Sequence, residues 1–300
     1  MRRSETDTQP AALAKGSAEA NERGRCMKHK ALILALCVSA LLCIGLLIHG
    51  QSARANENTR WPERGQTVWS DGKLKLDVSH LKDGYFMAAV SSKTSKRLKL
   101  QVTKGDNKLN YDLNGDGKFE VIPLQYGSGY YSVSLYENTS GNRYAAAGAL
   151  SLSVQLSAEN VCFLYPNQYV NYSATSDPVI MSDSLCAGKS DKESYIAIRD
   201  YMKANFLYDY VKAITITAGL LPDIEGCYDK KMGVCQDLSA IMVCMLRTQG
   251  IPARLVIGYA DKNYHAWTVT EVAGKQVLFD PTAALSAIAK PKNYSTERFY

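Results

Sequence analysis

The chain has 300 residues, 46% of them apolar and 21% charged, with a formal net charge of +6. That composition belongs to a folded protein long enough for two ordinary cores, and it excludes a disordered or low-complexity chain. Seven Lys or Arg against four acids in residues 1–30 hold about half of the excess charge. The remainder lacks the concentrated basic face of a nucleic-acid-binding protein, so no nucleic-acid partner is expected.

Residues 1–30 are polar, have no apolar period and read as a disordered cytoplasmic tail. Residues 31–48 (ALILALCVSALLCIGLLI) are eighteen without a charge, the lower end of what spans a bilayer. Lys28 and Lys30 on their N-terminal flank orient the tail inward. Residues 31–49 are therefore expected to be a transmembrane or signal-anchor helix in the cell membrane, with everything beyond on the outer side. Ala53-Arg54-Ala55 has the small-x-small form of a signal peptidase site, so cleavage after Ala55 and secretion is the alternative. Residues 50–66 read as a linker.

Residues 67–158 alternate apolar and polar side chains over 73–78 (KLKLDV), 97–102 (RLKLQV) and 132–136 (SVSLY), with short apolar runs at 85–90 and 150–156. Turn signals at Asp71-Gly72, Asp83-Gly84, Asn114-Gly115 and Gly127–Gly129 separate them. Short strands at this spacing predict a β-sandwich-like domain. Asp112, Asn114, Asp116 and Gly117 match half of a calcium-binding loop, but position twelve falls on Pro123, where a carboxylate is needed. A hairpin turn is the expectation there.

From residue 159 the period changes, and 159–300 reads as a second domain of α+β class. Ser190 and Glu193 form a capping box ahead of a helix reaching Asn205, and 176–187 suggests a shorter one. The strongest helix runs from Cys235 to Gln249, with Leu238, Ile241, Met242 and Met245 on its buried face, and is stopped by Gly250 and Pro252. Strands over 253–259, 264–272 and 276–280 follow.

Cys235 opens that helix, where free backbone N–H groups and the dipole favour a thiolate. His265 is the only histidine after residue 80, so no other imidazole can serve it within this domain. If Ala273-Gly274 is a hairpin tip, Val272 faces Lys275 and Trp267 faces Asp280, which makes His265 and Asp280 diagonal neighbours on one face. Cys235 as nucleophile, His265 as base and Asp280 as orienting group then form a catalytic trio acting on an amide carbonyl. Asp237 is expected at the helix N-terminus as a partner for backbone groups. Trp267 is read as a wall of the site or as packing. Tyr208, Tyr210 and Tyr228 are candidates for a second oxyanion donor. Outside the first 50 residues lie Cys162, Cys186, Cys227, Cys235 and Cys244, an odd number that leaves at least one thiol free; two disulfides beside a catalytic Cys235 are one reading, and the favoured one has Cys162 and Cys244 as buried small hydrophobes. With no CxxC and one nearby histidine, no metal or other cofactor is expected.

The segments GVCQDLSAIMVCMLRTQGIPARLVIGY, YHAW and FDPT, in that order, resemble the transglutaminase-like superfamily over about residues 195–285. Bacterial extracytoplasmic members with an N-terminal β-domain patterned like PLQYGSGYYSVSLYEN (123–138) are similar in particular. The resemblance implies a papain/transglutaminase-like core with Cys235, His265 and Asp280 as catalytic residues. It implies a protein or peptide substrate, cell-wall peptides included, and leaves transamidase, deamidase and peptidase open. The reading from another class is a non-catalytic envelope-binding protein that uses the β-domain, with the core as scaffold.

Overall fold

Alternating burial builds the first half of the chain. The structure, a computed structural model, describes residues 59–217, 219–285 and 290–300. Strands β1 (Val68–Asp71), β2 (Leu74–Asp77), β3 (Tyr85–Val90), β4 (Leu98–Lys104), β5 (Asn107–Leu113), β6 (Glu120–Pro123), β7 (Gly129–Ser140) and β8 (Arg143–Val154) form two four-stranded sheets. Their orders are β1-β2-β3-β6 and β5-β4-β7-β8, and every pairing is antiparallel. β5 and β7 bury every second residue, as a strand with one wet face must. β3 (YFMAAV) is apolar throughout and buried at all six positions.

The DLNGDG segment does not make a hairpin, contrary to the sequence expectation. β5 pairs with β4 while β6 pairs with β3, so residues 114–119 carry the chain from one sheet to the other. Asn-Gly and Asp-Gly supply tight-turn geometry in either case; which strand receives the chain is a non-local choice. Glu120 Oε1 closes the crossover by accepting from Asn114 N at 2.6 Å.

The second half contains α1 (Asp177–Cys186), α2 (Asp191–Asn205), β9 (Leu207–Tyr208), α3 (Tyr210–Thr215), α4 (Ile224–Lys230), β10 (Met232–Gly233), α5 (Cys235–Arg247), β11 (Ala253–Ala260), β12 (Asn263–Val272), β13 (Lys275–Phe279), α6 (Pro281–Leu285) and β14 (Tyr294–Phe299). The Ser190–Glu193 capping box forms, with Glu193 Oε2 accepting from Ser190 N at 2.9 Å. Strands β11 to β14 make an antiparallel sheet in the order β13-β12-β11-β14. β14 is absent from the sequence reading. It pairs with β11 through a bulge at Ile257/Gly258. There a Cβ on Gly258 would collide with the carbonyl of Ser295.

α5 departs from the expected one-sided burial. Every residue from Asp237 to Arg247 is buried. The helix lies between β11 and β12 on one side and α1, α2 and α4 on the other, so both faces exclude water. Each fully buried Leu, Ile or Met there contributes about 1.5–3 kcal/mol relative to exposure, which makes α5 the rigid axis of this half.

Contacts join the two halves. Gln125 Nε2 donates to Phe299 O at 2.7 Å, the Tyr126 and Phe299 rings meet edge to face, and buried residues of both halves form one cluster. None of the described helices is long and apolar enough to cross a membrane. The expected tail 1–30, the apolar segment 31–49 and residues 50–58 of the linker lie outside the described residues.

Candidate active site

Cys235 is the first residue of α5 and is half-buried. Two local devices hold it. The short parallel pairing of β9 with β10, Tyr208 opposite Gly233, fixes the lead-in. Asp237, fully buried, then ties the helix start together. Its Oδ2 accepts from Val234 N at 3.0 Å and from Lys212 Nζ at 2.7 Å, and its Oδ1 accepts from Asp223 N at 3.0 Å. Gly233 permits this approach, because a Cβ there would sit 2.9 Å from Asp237 Cβ. The sequence anticipated the backbone role of Asp237. Lys212, 25 residues earlier, carried no local signal.

The β12–β13 register is the one counted from the sequence. Val272 pairs with Lys275 and Thr268 with Phe279, around a tip where Ala273 and Gly274 both have positive φ (51° and 71°). Asp280 follows directly and caps α6, its Oδ1 accepting from Ala283 N at 3.0 Å. Pro281 thus begins a helix rather than only ending a strand. His265 Nε2 lies 2.8 Å from Asp280 Oδ2, the diagonal contact expected from the pleat. With Nε2 committed to the carboxylate, Nδ1 is the nitrogen left to face a reacting group.

Electrostatics favour a proton on this imidazole. Burial alone would push His265 down, but the bond to Asp280 and the nearby Cys235 side chain outweigh it and raise His265 from its ordinary 6.5 to about 9. Asp280 is held below the usual carboxylate range: burial pushes it up, and His265, Ala283 N and Tyr294 more than offset that. Tyr294 OH donates to Asp280 Oδ2 at 2.9 Å. This residue escaped the sequence reading because β14 did: YSTERF has aromatic residues only at its two ends and no apolar–polar alternation to mark it as a strand.

These groups open onto a cleft of about 540 Å³ lined by Cys235, His265, Tyr208, Ile216, Leu220 and Arg298 among others. Of the three tyrosines considered, Tyr208 lines the cleft, and burial and then the nearby Cys235 push its hydroxyl up to about 12. Tyr228 instead bonds Tyr201, hydroxyl to hydroxyl, at 2.9 Å, and the ring of Tyr210 is largely exposed. Trp267 is 1% exposed and packs edge to face on Tyr294, so its place is structural. The five described cysteines are unpaired. Among the described residues no group of three or more His, Cys, Asp or Glu is arranged to hold a metal ion.

Residues 182–281 match the family described as the transglutaminase-like superfamily. A curated relative, the uncharacterized protein YebA of Bacillus subtilis (strain 168), is 35% identical over 69 residues, 23% of this chain. The chain spans only 9% of that relative's length. Among solved structures, the periplasmic domain of TgpA from Pseudomonas aeruginosa bound to ethylmercury is 16% identical with a TM-score of 0.34, covering 74% of this chain and 78% of that one. A structure described as a TGase is 17% identical with a TM-score of 0.32, covering 53% and 47%.

Proposed function

This chain carries a domain of the transglutaminase-like superfamily over residues 182–281, and from that premise we propose a cysteine enzyme acting on amide bonds of proteins or peptides, cell-wall peptides among them. The observation that carries the reading is the imidazole of His265, bonded to Asp280 at 2.8 Å and sharing its cleft with Cys235. The thiolate is the attacking form of cysteine. Its sulfur adds to the amide carbonyl, forming the C–S bond. The Cys235 backbone N–H and the Tyr208 hydroxyl donate to the resulting oxyanion. His265 gives its proton to the leaving nitrogen as the C–N bond breaks, leaving a thioester. Water or an amine then attacks, surrenders a proton to His265 and releases the sulfur. Asp280, steadied by Tyr294, orients the imidazole and stabilises its charged form.

The two four-stranded sheets, read as a β-sandwich-like domain over 67–158, precede the enzyme domain over 159–300. The positive flank and apolar run at 31–49 support tethering outside the cell membrane, or release after Ala55. The test incubates residues 56–300 with casein and a labelled primary amine. Amine incorporation, ammonia release and chain cleavage separate transamidase, deamidase and peptidase. The reading requires Cys235→Ala to abolish whichever appears, and iodoacetamide trapping of Cys235 to slow in His265→Ala. A Cys235 that alkylates like an ordinary thiol, indifferent to His265, overturns it and favours the envelope-binding role.

A further inference from the structure

Among the described residues, the side chains lining the cleft beside Cys235 include no carboxylate and one permanent cation, the guanidinium of Arg298. Arg298 on β14 pairs with Ile257 of β11, and Ile257 pairs with Ala266, the neighbour of His265. Two interstrand steps of about 4.8 Å each set Arg298 roughly 10 Å from the strand bearing His265. Its Nη2 donates to Tyr264 OH at 2.5 Å, and Tyr264 itself lines the cleft. Its Nη1 meets Glu297 Oε1 at 2.5 Å. The Arg298 and Glu297 side chains are 32% and 45% exposed, so this pair between sequence neighbours is screened by water and weak. Glu297 is not part of the cleft lining. A carboxylate entering from the cleft can therefore take over the planar N–H fork, which fits it in bidentate fashion. The same lining includes Ile216 and Leu220, which suit apolar substrate atoms.

Resting on the thiol-enzyme reading above, we propose that Arg298 is a specificity-determining residue that binds a carboxylate of a peptide substrate. That carboxylate lies within a few extended residues of the amide attacked by Cys235, since Arg298 and Cys235 line one cleft. The substrate class is thus an anionic peptide, its charge supplied by a C-terminus or by an acidic side chain.

The experiment uses the full chain in detergent and bromoacetylated glycine oligomers of one to four residues, each as free acid and as amide. Alkylation forms the bond from Cys235 sulfur to the acetyl carbon and expels bromide. Rates are normalised to that of iodoacetamide for each variant, which removes any change in thiol reactivity itself. The acid-to-amide rate ratio should peak at one of these lengths, the one that spans the cleft from Cys235 to Arg298. It should fall about tenfold in Arg298→Gln, the size of one partly screened charge-assisted contact, and Arg298→Lys should retain part of it. Comparing bromoacetyl-Gly-Glu-amide with its Gln counterpart separates a side-chain carboxylate from a C-terminal one. A ratio that ignores probe length and is the same in Arg298→Gln overturns the proposal. Calorimetric binding of N-acetyl-triglycine and its amide to Cys235→Ala reads the Arg298 site without thiol chemistry: acid preference that vanishes in Arg298→Gln supports it, and equal binding refutes it. Failure of the enzyme reading shows separately, as iodoacetamide trapping that His265→Ala does not slow.

Discussion

At its first residue α5 presents Cys235 to a cleft; at its last, Arg247, it buries a guanidinium with no exposed surface. Both ends carry charge of the sign the helix dipole favours, Asp237 in the first turn and Arg247 in the last. They differ in how that charge is satisfied. Asp237 accepts from two backbone N–H groups and from Lys212. Arg247 donates to three carbonyls, Tyr165 O at 2.6 Å and Ala253 O and Tyr300 O at 2.9 Å. Burial pulls Arg247 below the usual guanidinium range. One end thus holds the Cys235 sulfur at the rim of a cleft, while the other pins a loop and two distant segments onto the core. The contrast teaches that a single helix can be anchored at one terminus so that the other stays both exposed and precise.

The contrast can be broken or sharpened by substitution. The largest effect is expected from Asp280→Asn, which loses the carboxylate that orients His265. Formation of the acyl-enzyme should slow by roughly 10³–10⁴-fold, by analogy with the loss of the orienting acid in other triads. Stopped-flow release of a chromogenic amine reads this, and an unaltered rate would remove Asp280 from the site. Next, Arg247→Met removes three buried hydrogen bonds from a charged donor, of whose acceptors Tyr300 O keeps Leu255 N, and should cost about 3–5 kcal/mol in urea unfolding, at about 1.5–3 kcal/mol for each such bond before relaxation. Alkylation of Cys235 per folded molecule should persist, because the two ends are eleven residues of rigid helix apart; loss of that alkylation would show that the ends are coupled. Asp237→Asn should cost about 2–3 kcal/mol, since it discharges the partner of Lys212 and swaps one acceptor for a donor. Unlike Arg247→Met, it should also slow Cys235, because Val234 and the α3 segment both hang on that carboxylate. Equal Cys235 rates in the two variants would erase the distinction between the ends.

The smallest effect is a titration. His265 in the folded protein should titrate at about 9 rather than 6.5, followed by NMR of the imidazole carbons, and Asp280→Asn should move the midpoint downward. Because the folded value is raised, the stability that His265 contributes is fully present below about pH 6.5 and is lost as pH rises through about 9. A midpoint near 6.5 in the unmodified protein would mean that Asp280 does not hold the imidazolium.

Much of the site is legible in the chain because its links are local. The helix from Cys235 has a period and a stop at Gly250. The tip at Ala273-Gly274 is a two-residue turn with both φ positive, and in a pleat of period two that turn alone determines that Asp280 falls diagonal to His265. Asp237 sits three residues from Val234, within reach of its N–H by helix geometry. What the tertiary structure decided is non-local. Tyr294 reaches Asp280 only because β14 returns to pair with β11. Lys212 meets Asp237 across 25 residues. The chain crosses between sheets after β5, although its turn residues would equally suit a hairpin. Burial of α5 on every side depends on three helices and a sheet closing around it. The amino-acid order thus determined by itself which groups stand one turn or one hairpin apart. Which surfaces close over them, and therefore which charges find partners, arises from packing, where many weak apolar contacts outweigh any local preference.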